Sequence, residues 1–133
     1  MRISIVKDLT PLKLAAKADV DQQAGSVRQR FITTTPGQEL VYQEKRREAE
    51  SICLNPNIPT SEVPHLAREA EASSVDLLTI ASVDLTMAQQ WSHVSAVIED
   101  IRLAAKTAID AAADPHEIET ARAVDWSYFV NET

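Results

Sequence analysis

Residues 76–113 read DLLTIASVDLTMAQQWSHVSAVIEDIRLAAKTAIDAAA, thirty-eight positions without a proline or a glycine. Leu77, Ile80, Met87, Trp91, Val94, Ile98, Ile101, Ala105, Ala108 and Ala112 fall on alternating steps of three and four, with Asp84 the one polar member. That spacing predicts a helix with a seam of more than four heptads, roughly 57 Å long at 1.5 Å per residue if unbroken. A break near Ser82 to Thr86 is the alternative. Alanines at Ala104, Ala105, Ala108, Ala111, Ala112 and Ala113 favour helix and permit close approach of a second one.

Upstream, Leu12, Ala15, Ala16, Val20, Ala24, Val27 and Phe31 predict a first helix over about Pro11 to Thr33, kinked or split at Gly25 if that glycine breaks it. Thr35-Pro36-Gly37-Gln38 is a helix start, with threonine as cap and proline needing no donor. A second helix follows from about Pro36 to Leu54, whose apolar positions Leu40, Val41, Ala49, Ile52 and Cys53 make a narrow stripe. Asn55-Pro56-Asn57-Ile58-Pro59 is a loop. A short helix begun by Pro64 lies within Thr60 to Ser74, and Asp114-Pro115-His116-Glu117 caps a last one running to about Val124. Arg2 to Val6 alternates as a strand does, and a lone strand pairs within the chain, pairs with a partner, or stays loose. Trp126-Ser127-Tyr128-Phe129-Val130 gathers three of the six aromatics, apolar surface that should dock on its own domain or a neighbour.

The expected fold is therefore all-α: a helical hairpin turning at Thr34 to Gln38, packed on a long C-terminal helix. A strand-like arm over residues 1–10 precedes the helical domain of residues 11–124, and an aromatic tail over 125–133 follows it. With two glycines in the chain, Gly25 and Gly37, a many-stranded fold lacks the positive-φ positions its hairpins need.

The 133 residues match one ordinary domain. A single cysteine, Cys53, excludes an internal disulfide framework and a cysteine zinc cluster, and no basic-then-apolar leader opens the chain, which points to a reducing cytoplasm. No apolar run reaches the ~18 residues of a membrane span, and a net charge of −7 repels nucleic acid. The charge is uneven: residues 1–54 carry nine basic and seven acidic groups, residues 55–133 four and thirteen. Halves of opposite sign attract when they fold together or when copies meet.

No constellation for chemistry stands out. His65, His93 and His116 lie on separate elements without metal-ligand spacing, and neighbouring carboxylates such as Glu99 and Asp100 point to different helix faces. Cys53 has no histidine nearby in sequence and reads as a small core thiol; no nucleophile elbow or phosphate loop occurs. No catalytic, cofactor or metal residue is therefore assigned, and the chain reads as a non-enzyme. The basic run Lys45-Arg46-Arg47, with Arg28 and Arg30 brought near by the hairpin, has the charge to bind phosphate, but a short run among glutamates reads first as answering the acidic half or an acidic patch on a partner. The residues singled out for partner contact are Ile3 and Ile5 in the arm, Arg46 and Arg47 in the basic run, and Trp126, Tyr128 and Phe129 in the tail. A long seam and an aromatic tail exceed what one small domain covers, so self-association or a place in a mixed assembly is expected.

Val27-Arg28-Gln29-Arg30-Phe31-Ile32-Thr33, then Pro36-Gly37-Gln38-Glu39, Tyr42, Lys45 and Glu48-Ala49, resembles a recurrent stretch in small tail and tail-fibre-region proteins of tailed bacteriophages. Trp91, Ile98-Glu99, Arg102, Ala105-Lys106 and Ala108-Ile109 to Ala112, ending at Pro115, resemble that family's second helical block, so the likeness covers most of residues 20–118. The resemblance implies a phage tail context, with the chain made in the bacterial host cytoplasm and placed in the virion tail. It carries over no catalytic residue. Two roles fit: a baseplate or fibre-attachment subunit bridging other tail proteins, or a tail-fibre assembly chaperone that leaves the finished particle.

Overall fold

The computed structural model describes residues 8–32 and 37–129. Among the described residues the regular structure is all helical: α1 (Thr10–Arg28), α2 (Gln38–Leu54), α3 (Pro64–Ser73), α4 (Leu77–Ala111) and α5 (Pro115–Arg122), with short 3-10 turns at Thr60–Glu62 and Ser127–Phe129. The strand expected at Arg2 to Val6, with Ile3 and Ile5, lies outside the described residues, as does the cap expected at Thr35.

The chain divides into two compact units, one of residues 33–94 and one joining residues 1–32 to 95–133. The middle segment is thus an insertion in the chain of the other unit.

In the discontinuous unit, α1 buries Ala16, Val20, Ala24 and Val27, steps of four, four and three that keep one face inward. Gly25 does not break the helix, and a Cβ there would meet nothing within 4 Å. Ala16 and Val20 meet Ile109 of α4, Ala112 just past its end and Ile118 of α5, with Leu9, Ala105, Ala121 and Val124 packed around them. Of the alanine cluster, Ala112 is buried and Ala105 half-buried, while Ala104, Ala108, Ala111 and Ala113 are exposed. The start of α5 follows the sequence: Asp114 Oδ1 accepts from the Glu117 amide at 2.8 Å, Pro115 takes the first helical position, and the Glu117 side chain accepts from the Ala113 amide. The helix ends at Arg122, two residues short of expectation.

Lys13 Nζ donates to the Asp110 carbonyl at 2.8 Å, serving a last-turn acceptor of α4, and Lys17 pairs with the Asp110 carboxylate at 2.9 Å. Arg28, Glu99, Arg102, Asp21 and Lys106 form a chain of ion pairs at 2.6–3.2 Å. Hydrogen bonds from Arg102 and Lys106 hold the Asp21 carboxyl below the usual carboxylate range, and Arg102 does the same for Glu99. The cation–anion pairing read from the uneven halves is in part internal to this unit, since Lys17 and Arg28 find Asp110 and Glu99.

In the inserted unit, Ala49 and Ile52 of α2, Val63 and Leu66 at the start of α3, and Ala81 of α4 form the core, with Ile58, Leu77, Ile80 and Leu85 against it. Gly37, at φ +83°, precedes α2 as a left-handed residue without a side-chain cap, so the helix begins at Gln38, two residues past the expected start at about Pro36. Ser74, at φ +55°, ends α3, and Asp76 Oδ2 then accepts from the Thr79 amide at 3.2 Å to open α4. No break occurs at Ser82 to Thr86.

Three core expectations are corrected in this unit. Cys53 is exposed, because it stands about 100° around the helix from buried Ile52. Leu40 is exposed as well, leaving a stripe of Val41, Lys45, Glu48, Ala49 and Ile52. Met87, on the expected seam, is 61% exposed, whereas Ala81, off the seam, is fully buried.

Candidate functional site

The aromatic tail is the sequence-derived site that the fold builds most fully. After α5, Asp125 Oδ1 accepts from the Ser127 amide at 2.9 Å, turning the chain into the 3-10 turn at Ser127–Phe129. The turn drives Phe129 inward, where it is fully buried. Its ring meets Phe31 edge to face at 5.8 Å between centroids, Tyr128 at 5.0 Å and Trp126 at 6.3 Å. Trp126 is pinned from its polar end, Nε1 donating to Gln23 Oε1 at 3.0 Å, and Gln23 Nε2 donates to the Arg122 carbonyl at 2.9 Å. Arg122 in turn bonds Asp19, whose Oδ2 also accepts from Gln23 Nε2. One turn of α1, from Asp19 to Gln23, thus reads both the end of α5 and the tail. Tyr128 remains 53% exposed.

The tail therefore docks on its own unit, one of the two outcomes its composition left open. Trp126 and Phe129 are engaged within the chain, and Tyr128 is the tail residue presented outward. Of the basic run, Arg46 and Arg47 are exposed and paired along α2, with Glu50 at 3.3 Å and Glu44 at 2.9 Å. Lys45 alone of the three pairs beyond α2, with Glu69 of α3 at 3.1 Å. Arg28 pairs with Glu99 in the other unit.

One polar site escaped the sequence reading. Glu48 is wholly buried, the one charged side chain so placed among the described residues, and it closes the start of α3. Val63 offers that helix no side-chain cap; instead Glu48 Oε1 accepts from the Leu66 amide at 3.0 Å, and Oε2 stands 2.5 Å from His65 Nδ1. The available signal was position: Glu48 lies on the line Val41, Lys45, Glu48, Ile52, with steps of four, three and four, and so within the inward stripe. Nothing in a single sequence supplies the partner seventeen residues on.

Beside this contact, Lys45 faces Glu69 Oε2 without hydrogen-bond geometry, and Asp84 Oδ2, shut from solvent, accepts no hydrogen bond from the described residues. Burial, then the adjacent Glu69 carboxylate, raise the Asp84 carboxyl above its usual range, against a lowering pull from Lys45. Asp84, the polar member of the seam, is thus an electrostatic cost in this unit. Among the described residues no group of three His, Cys, Asp or Glu side chains is arranged to hold a metal ion, and no helix is long and apolar enough to cross a membrane.

No protein-family model, no curated protein and no solved structure matches the chain.

Proposed function

We propose that the chain is a non-enzymatic structural subunit of a bacteriophage tail, at the baseplate or the fibre attachment, bridging larger virion components. The observation that carries this reading is that each unit has its own core and still presents large apolar side chains to solvent. The inserted unit leaves Leu40, Leu54 and Met87 open, Leu54 at 88%, and the discontinuous unit leaves Leu14, Leu103 and Tyr128. Two independently packed bodies with separate apolar contacts suit a bridge between two neighbours. The resemblance of residues 20–118 to small phage tail proteins supplies the context. In this reading the first two helices form a hairpin about residues 34–38, the N-terminal arm adds a strand to a neighbour through Ile3 and Ile5, and Arg46 and Arg47 meet an acidic partner surface. The partners are other tail proteins and further copies of the chain, with no part for nucleic acid or membrane.

Mass spectrometry of purified particles tests the assignment. A structural subunit appears at a fixed ratio to known tail components. Abundance in infected-cell lysate with absence from particles rejects it in favour of an assembly chaperone.

A further inference from the structure

We infer that the surface of the discontinuous unit beneath the aromatic turn, built by Gln23 and Phe31, is an acceptor for the same turn of a second copy, so that copies associate by exchanging tails. The occupant is identified by what already fills the surface: an aromatic segment whose phenylalanine is fully buried and whose tryptophan donates to a glutamine oxygen at 3.0 Å. Two of its contacts, Trp126 to Gln23 and Phe129 to Phe31, join the tail to one short stretch around the end of α1, and each is chemically identical whichever copy supplies the tail.

The geometry also favours release. Past Arg122 the chain leaves helical conformation at Ala123, with φ −80° and ψ 73°, and Ala123, Asp125 and Ser127 are exposed. Between the helix and the turn, Val124 is the one residue packed on the core. Exchanging a terminal segment of this kind costs no contact in the final state, because each tail lost in one copy is replaced by its equivalent from the other. Reciprocal exchange closes a two-fold dimer. The inference uses contacts within the chain and stands whether or not the protein is a phage tail subunit.

The experiment titrates a fluorescein-labelled peptide of residues 123–133 into the full-length chain and into full-length Phe129→Ala, followed by anisotropy. In the unsubstituted chain the tethered tail competes at high effective concentration; in Phe129→Ala its anchor is gone. Saturable binding is expected, at least about tenfold tighter to Phe129→Ala, and abolished when the peptide itself carries Phe129→Ala. Equal affinity for the two proteins, or no binding to a Phe129→Ala chain that keeps its helical circular dichroism, overturns the proposal. If that variant loses its helices, Trp126→Ala replaces it, with the same expectation of tighter binding and the same refutation by equality. Light scattering of the unsubstituted chain completes the test: a dimer that excess peptide dissolves supports exchange, and a monomer at all concentrations overturns it.

Discussion

Replacing Glu48 by alanine removes the two polar contacts that the Glu48 side chain makes from α2 to the first turn of α3, leaving the apolar packing of Ala49 and Ile52 on Val63 and Leu66. The Leu66 amide, buried with its side chain, loses its acceptor at 3.0 Å, and an unsatisfied buried donor costs about 1–3 kcal/mol. His65 loses the oxygen at 2.5 Å from Nδ1, which adds about 1 kcal/mol, since its ring is partly exposed and water takes over. Relief from burying a carboxyl offsets part of the sum. The expected net loss is about 2–3 kcal/mol, and for a unit of this size that lowers the melting temperature by roughly 10–20 °C. Trp91 lies in the inserted unit and Trp126 in the other, so denaturant unfolding followed by Trp91 emission in a Trp126→Phe background reads the affected unit. Glu48→Gln should fall between, because a single amide oxygen serves one of the two donors. A double-mutant cycle with His65→Ala should return a coupling of about 1 kcal/mol. A Glu48→Ala protein within about 0.5 kcal/mol of its parent, or a coupling of zero, would show that the buried carboxyl does not hold the helix start.

Further outcomes follow from the same contacts. Asp84→Asn removes a carboxyl whose folded form is pushed up by burial and by Glu69; such a group favours the folded state at low pH and loses that favour as pH rises. The substitution should therefore stabilise the inserted unit at pH 7, on the order of 0.5 kcal/mol, with the gain vanishing in acid; a gain independent of pH would refute the electrostatic cause. Asp21, Glu99 and Asp110 are held low by Arg102 and Lys17, so their contribution is present at neutral pH and lost as pH falls below the usual carboxylate range near 4, which a pH series of unfolding curves read by Trp126 checks. Ala105→Leu should destabilise the discontinuous unit by about 1–3 kcal/mol through overpacking against its core, and an unchanged melting curve would place the new side chain in solvent. Asp114→Ala should cost about 1 kcal/mol by uncapping α5, measured in the same unfolding experiment.

Where structure depends on neighbours along the chain, the sequence by itself determined the outcome. The proline- and glycine-free run from Asp76 specifies α4, and the Asp114 start needs only residues within four positions, so its hydrogen bonds are written locally. The scarcity of glycine excluded a sheet protein on grounds of backbone conformation alone. Tertiary structure decided which side of each helix faces inward and what meets it there. Helical periodicity places Met87 on a seam and Cys53 beside a stripe, but burial depends on whether another element covers that angle, and for these two none among the described residues does. Composition marked the tail as a docking segment; its acceptor, Gln23 and Phe31, lies about a hundred residues earlier. Glu48 is the sharpest case. Its spacing put it in the inward stripe, and its chemistry put it in solvent. The conflict is resolved by an amide and an imidazole from another helix, because a buried carboxyl is tolerated only where donors arrive to meet it.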